Sequence, residues 1–216
     1  MFTGASNFTN DVDALFVYIV VLSLIVLIGI TVAMVYFVFR YNRKKNPVPE
    51  NIHGNITLEI LWTAIPLLLF MSMFYFGWEG YLDMRAIPAD AMPITVTARM
   101  WQWTFEYTNG VHTDTLYVPV SKPIRVDLHS MDVNHAFFIP AFRVKKDVFY
   151  NKNNNAWFRS DKVGRYDIVC AEYCGLKHSG MYTKIVVMEQ KEYDAWFASA
   201  SKKAGKSVVP DSIAAK

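Results

Sequence analysis

Cysteine is almost missing from this chain, with two among 216 residues. Two thiols cannot make a disulfide framework, so the fold must rest on packing rather than cross-links. No Cys-x-x-Cys-His occurs, so no attached haem c is expected, and no lipobox cysteine is present, so no lipid anchor is expected. Charge is scarce too. Charged residues make up 19% of the chain, and none falls between Ala14 and Phe39. The formal charge of +3 is unremarkable, and no nucleic-acid partner is expected from it. What remains is 53% hydrophobic and unevenly spread. Two long apolar runs occupy the first eighty residues, and the rest has the composition of an ordinary soluble domain.

Met1 to Asp13 is a short polar leader, and the uncharged run Ala14–Phe39 follows it. A bilayer core of roughly 30 Å needs about 20 helical residues, so this run can span with some tilt. A secretory signal would be shorter, with its positive charges in front and a cleavage site behind. Here the positive charges come after the run, as Arg40, Arg43, Lys44 and Lys45, and Pro47 and Pro49 then break any helix. Basic residues in a short loop keep it on the cytoplasmic side, which leaves the N-terminus outside. A second apolar run covers about Ile60 to Trp78, with Asn55 or Thr57 as its cap, Glu59 in its first turn and Pro66 inside it. Trp62 near one end and Tyr75, Trp78 and Tyr81 near the other suit the two interfacial aromatic belts. This hairpin returns the chain to the outside, so everything from about Asp83 onward is extracytoplasmic.

Pro88 and Pro93 bound a linker, after which the periodicity changes from helical to strand-like. Ile94 to Arg99 alternates with period two, and Trp101 to Tyr107 sets Trp101, Trp103, Phe105 and Tyr107 on one face. Asn109-Gly110 is a hairpin turn signal. Thr115–Val120, Ile124–His129, Ala136–Val144, Arg165–Cys170 and Tyr182–Met188 read as further strands, with Asn151–Asn155 as a polar turn. Short strands separated by turns predict a small sandwich or barrel. Tyr193, Trp196, Phe197 and Ala200 fall at helical spacing and predict a terminal amphipathic helix, followed by a mobile lysine-bearing tail.

Both cysteines lie in Cys170-Ala-Glu-Tyr-Cys174-Gly-Leu-Lys-His178-Ser-Gly-Met181. Two thiols, an imidazole and a thioether within a dozen residues are soft and borderline ligands. His135, at the start of an apolar strand, is the candidate for a further ligand from another part of a sandwich. A disulfide between the cysteines would explain neither His178 nor Met181. A closed zinc site of Cys170, Cys174, His178 and His135 has the right count but leaves Met181 without a role. Copper accounts for all five. A single-copper electron-transfer site takes two His, one Cys and a weak axial Met, and this chain supplies one Cys more. Two thiolates can bridge two coppers, with one His for each. Sharing one electron over two metals changes each bond little, which suits electron transfer rather than bond-making chemistry.

Cys170-x-Glu172-x-Cys174-Gly-x-x-His178-x-x-Met181, with Asp132-Val-x-His135 and Trp101-x-Trp103 upstream, resembles subunit II of the haem–copper respiratory oxidases. The two-span hairpin and Glu59-x-x-Trp62-Thr-x-x-Pro66 match as well, so the resemblance covers about residues 15 to 200. It implies a membrane-anchored all-β protein, a two-helix transmembrane hairpin followed by a cupredoxin-like β-sandwich. Residues 1–86 would form the leader and hairpin, 87–204 the extracytoplasmic copper domain and 205–216 a mobile tail. It implies a binuclear copper centre with His135 and Met181 on one copper, the Glu172 carbonyl and His178 on the other, and Cys170 and Cys174 bridging. The Glu172 carboxylate would face subunit I and complete a magnesium site there. Trp101 would receive electrons, Trp103 would be a core aromatic, and Asp132 would tie down the His135 loop. Glu59 would stand at the cytoplasmic mouth of a proton path, although the helix dipole alone favours an acid in a first turn.

The implied function is that of the electron-input subunit of a terminal cytochrome c oxidase in a bacterial inner membrane. Subunit I, subunit III and cytochrome c or a cytochrome-containing supercomplex would be its partners. Oxygen would be reduced in subunit I, with proton pumping. A related nitric oxide reductase subunit, or a membrane-tethered copper-delivery or zinc-binding module, are the alternatives. A quinol oxidase subunit is disfavoured because its ligands would be missing. The sequence departs from the pattern in three places. Gln102 stands where many relatives have Tyr, Phe149-Tyr-Asn-Lys-Asn replaces a usual Pro-Gly-Arg turn, and acids are not clustered around Trp101. Residues 93–216 carry 17 Lys plus Arg against 12 Asp plus Glu. That balance predicts a neutral or acidic cytochrome donor, or one held in a stable supercomplex.

Overall fold

The computed structural model describes residues 4–48, 51 and 53–207. Pro49 and the tail beyond residue 207 lie outside the described residues. The chain forms two compact units, residues 11–82 and residues 1–10 together with 83–216.

The first unit is a pair of helices, α1 (Thr9–Arg40) and α2 (Ile56–Arg85). Both exceed the apolar runs that predict them, because polar residues at each end continue the helical hydrogen bonding. Asn55 starts α2, its Oδ1 accepting from the Thr57 and Leu58 amides at 3.0 and 3.2 Å. That satisfies two of the orphan donors at a helix N-terminus. Both helices have the length and hydropathy to cross a membrane. Their large apolar side chains point outward, as in Ile30 and Leu68 at 63% and 68% exposure. Outward apolar surface on this scale needs lipid rather than water. Within the pair, the Tyr18 hydroxyl and Ser72 Oγ lie 2.6 Å apart, and the Tyr18 ring meets Phe76 edge-on.

The second unit is a β-sandwich of two five-stranded sheets. One has the order β3-β2-β1-β5-β8: β1 (Met92–Arg99), β2 (Gln102–Tyr107), β3 (His112–Thr113), β5 (Pro123–Ser130) and β8 (Asn154–Arg159). The other has the order β4-β10-β9-β6-β7: β4 (Leu116–Pro119), β6 (His135–Ile139), β7 (Val144–Val148), β9 (Gly164–Cys170) and β10 (Tyr182–Met188). Strand alternation turns Val96, Ala98, Phe105 and Val126 inward from the first sheet and Phe137, Ile168 and Ile185 from the second, all essentially buried. The layers meet where Trp103 and Phe105 pack edge-on against Phe137. Burying side chains of this size contributes about 1.5–3 kcal/mol each. Helix α3 (Gln190–Ser207) closes one side by stacking Trp196 on Tyr117 at 4.4 Å.

Three element boundaries differ from the sequence pattern. Ala136–Val144 is two strands, not one, because Pro140–Phe142 forms a 3-10 turn and Arg143 takes φ +59°. Residues predicted as a polar turn begin β8 at Asn154, which pairs with Leu128. Its alternation is masked because asparagines open it, Asn154 on the inner face and Asn155 on the outer. Lys202 and Lys203, expected in a mobile tail, continue α3.

The leader joins the sandwich. Ser6 bridges Ser160, the Asp161 amide donates to the Ala5 carbonyl at 3.0 Å, and the Asn7 amide donates to the Arg159 carbonyl at 3.1 Å. Ser6 Oγ donates to the Phe142 carbonyl at 2.8 Å, and Phe8 is buried edge-on against Trp157.

Candidate metal centre

Strand directions bring several loops to one end of the sandwich: residues 99–102, 130–134 and 171–181, with the turns after β3 and β7 beside them. His135 opens β6, Cys170 closes β9, and the remaining candidates lie in the loop from β9 to β10. Backbone hydrogen bonds shape that loop. The Cys170 amide donates to the Met181 carbonyl, the His178 amide to Gly175 and the Met181 amide to His178, all at 3.0–3.1 Å. The Ala171 amide donates to Ala136, which ties the loop to the start of β6.

The six sequence-predicted donor groups converge. Cys170 Sγ lies 3.8 Å from Cys174 Sγ, 3.8 Å from His135 Nδ1 and 3.2 Å from the Glu172 carbonyl. Cys174 Sγ lies 3.5 Å from His178 Nδ1 and 3.7 Å from the Met181 Sδ. Both thiols are free, at nearly twice the length of about 2.05 Å for a disulfide bond. Ligands about 2.3 Å (sulfur) and 2.05 Å (nitrogen) from one metal at tetrahedral angles would stand about 3.6–3.8 Å apart. The donors therefore sit at the spacing of a coordination shell. Their softness excludes a hard cation. Two thiols and a thioether with two imidazoles favour copper over a hard cation.

Second contacts orient the donors. Asp132 Oδ1 lies 2.8 Å from His135 Nε2, so the ring holds its proton there and turns Nδ1 toward Cys170. Asp132 also accepts from the Met100 and Val133 amides at 2.7 Å each. Burial opposes its charge, but these donors outweigh burial and hold its pKa below the ordinary carboxylate value. The fully buried His135 ring meets Trp103 edge-on at 6.2 Å. Burial also opposes a thiolate at Cys170, yet the His135 ring and nearby backbone groups hold its pKa down, whereas burial and the Cys170 sulfur push Cys174 up. The pair thus loses one proton readily and keeps the other, and a cation binding to both sulfurs must displace it.

Trp101 sits in the turn between β1 and β2, not on the strand its alternation predicts. Its indole N–H donates to the Cys174 carbonyl at 3.2 Å. Gly175 takes φ +115°, a conformation that favours glycine, and packs beside the ring, where a Cβ would stand 3.4 Å away. Glu172 has an exposed side chain, and its carbonyl faces Cys170. Glu59 is not among the clustered residues and occupies the first turn of α2. Sequence pattern alone gave no signal for Ser130, whose hydroxyl donates to the Val133 carbonyl at 2.5 Å inside the His135 loop.

Fold and donor set together define a class: a copper-type cupredoxin-like sandwich behind a pair of membrane-spanning helices. Comparison with known proteins makes this specific. The family model for the transmembrane domain of cytochrome c oxidase subunit II matches residues 1–77, and that for its periplasmic domain matches residues 111–189. Cytochrome c oxidase subunit 2 of Alkalihalophilus pseudofirmus is 34% identical over 84% of this chain and 57% of its own length. The subunit 2 of Cereibacter sphaeroides is 27% identical over 91% of this chain and 78% of its own. The solved periplasmic domain of subunit II of the Bradyrhizobium japonicum cytochrome oxidase is 33% identical, with a TM-score of 0.53. That alignment covers 55% of this chain and 99% of the other. The chain belongs to the cytochrome c oxidase subunit II family.

Proposed function

We propose that this chain is the electron-input subunit of a cytochrome c oxidase in a bacterial inner membrane, with its N-terminus and sandwich outside. The observation that carries the reading is the meeting of two free thiols, two imidazoles and a thioether at 3.5–3.8 Å spacing. His135 and Met181 would hold one copper, His178 and the Glu172 carbonyl a second, and Cys170 and Cys174 would bridge them. A copper pair held by these residues would supply one-electron redox chemistry with little change in bonding. The residues' part is to hold the donors in place. Asp132 fixes the His135 ring, and the loop amides fix Cys170, His178 and Met181.

Trp101 is the proposed point of electron arrival from cytochrome c. Its indole N–H bond to the Cys174 carbonyl gives a short through-bond route to a bridging sulfur. Electrons would leave for haem in subunit I, where oxygen is reduced with proton pumping. The Glu172 carboxylate, exposed in the same loop, would complete a magnesium site against subunit I. Glu59 would open a proton path on the cytoplasmic side, and subunit III would complete the complex. The copper domain proposed for this role spans residues 87–204.

Cys174→Ser tests the bridging role. The purified complex is expected to carry about two coppers per sandwich in the wild type and to lose the pair and its long-wavelength absorbance in the variant. Normal copper content and turnover in Cys174→Ser would overturn the assignment, and about one zinc per wild-type chain would overturn the copper reading altogether.

A further inference from the structure

The surface around Trp101 has a definite electrostatic character. Lys177 Nζ lies 5.7 Å from the centroid of the Trp101 ring, and its side chain is exposed. The negative face of an aromatic ring attracts a cation, so the ammonium is held over the ring. The next carboxylate along this surface, Asp132, is turned inward. Its oxygens accept from the Met100 and Val133 amides and from His135, and its side chain is only 19% exposed. Its charge is therefore used inside the protein and offers little to a partner. Around these groups the surface is apolar, with Met100 at 42%, Met131 at 56% and Val133 at 40% exposure. Arg99, at the end of β1, adds a second exposed cation two residues before Trp101. Among the described residues, exposed acids toward this end stand on other segments: Asp147 is on β7, paired with Ala136. Glu172 is on the stretch proposed to face subunit I, and Asp114 is in the β3–β4 turn, where its carbonyl is bonded to Thr183.

We infer that this surface receives an electron carrier whose exposed cofactor edge is ringed by apolar and acidic side chains, and that Lys177 selects for it. The inference rests on the reading of Trp101 as the point of electron arrival. A carrier pressing its cofactor edge onto Trp101 comes within contact distance of the Lys177 ammonium. A lysine-ringed carrier would set like charges together there, and the inward-turned Asp132 would offer it little in return. An acidic rim finds its counter-ion, and the apolar patch supplies salt-independent contact.

The test uses the purified oxidase with two donors, a strongly acidic and a strongly basic c-type cytochrome, and Lys177→Glu and Trp101→Phe variants. Equilibrium binding of each cytochrome and its rate of copper reduction are followed against ionic strength. Reversing one charge about 6 Å from its partner in water changes the association constant by about tenfold. The acidic donor is expected to bind tighter at low salt and to weaken as salt rises, because screening shortens the field to about 10 Å at 0.1 M. Lys177→Glu is expected to reverse the preference by about tenfold while copper content stays normal. If the basic donor binds the wild type better and is the one weakened by salt, or if Lys177→Glu leaves both affinities unchanged, the inference is overturned. If instead Trp101→Phe leaves both donors' reduction rates untouched, the reading of Trp101 fails and the inference falls with it.

Discussion

Asp132→Asn is the substitution that bears hardest on the copper site without touching a proposed ligand. The carboxylate serves two groups of donors at once. Oδ2 accepts from the Met100 amide at 2.7 Å, and Oδ1 accepts from Val133 at 2.7 Å and lies 2.8 Å from His135 Nε2. An asparagine of the same shape has one oxygen and one NH2 group. Whichever way it is turned, an N–H meets an N–H, either at Met100 or at the His135 side. Either the Met100 bond is lost outright or the Val133 and His135 bonds are lost together, and what remains is weakened to neutral strength. A hydrogen bond to a charged group contributes about 1.5–3 kcal/mol. If the loss falls on His135, its ring is free to turn or change tautomer and Nδ1 no longer faces Cys170. The expected result is a tenfold to hundredfold loss of copper affinity, the range seen when an outer partner of a metal-bound histidine is removed. Competition against a chelator of known copper affinity measures it, and the absorbance of the loaded site reports the change in ring orientation. Copper affinity within twofold of wild type, with unchanged absorbance, would refute the orienting role of Asp132.

Gly175→Ala places a side chain at φ +115° and sets a Cβ 3.4 Å from the Trp101 ring. Strain of about 1–3 kcal/mol is expected, read as a lower melting temperature with altered Trp101 fluorescence. Burial pushes the Tyr193 hydroxyl up to about 12 and drives Tyr107 in the same direction. Groups with raised folded pKa values contribute stability below the unfolded value near 10, and that stability is lost as pH climbs toward the folded value. The chain is therefore expected to melt at lower temperature between about pH 10 and 12, and Tyr193→Phe to flatten that fall. Circular dichroism melts across the range check both.

The parts of this fold that were legible share a cause. The spans could be read because lipid tolerates no charge along a whole run, which leaves a long signal in Ala14–Phe39. Strands β1, β5, β9 and β10 could be read because one face of each is buried and the other is wet. Strand β8 could not, because Asn154 and Asn155 open it with turn-forming residues, and only pairing with β5 makes them extended. The break at Pro140 was present in the sequence but lay inside an apolar run that read as continuous. The leader's packing was invisible because it depends on partners far along the chain, Phe142 and residues 159–161. The donor cluster was legible because five soft side chains in two short segments are improbable without a common ligand. Lys177 was not, since nothing in spacing shows that a lysine three residues past Cys174 lies over Trp101.

The arrangement of the donors argues for a site that does little on changing its charge. Loop-only ligands could shift with each electron, because a loop with free ends costs little to move. Here Cys170 is the last residue of β9 and His135 the first of β6, neighbouring strands paired at Phe137 and Cys170. The loop between Cys174 and Met181 is bonded at Gly175, His178 and Met181 and returns directly into β10. Each donor thus has at least one anchor that does not depend on a metal. A shell held by the sheet cannot relax far when an electron arrives, and small relaxation is what fast transfer in both directions requires. Catalysis at an open metal position would need the reverse, a missing ligand and room for a substrate. Burial of His135, Cys170, Cys174 and Met181 argues against such room, and the half-buried Trp101, bonded to the Cys174 carbonyl, is the proposed contact for charge coming from outside.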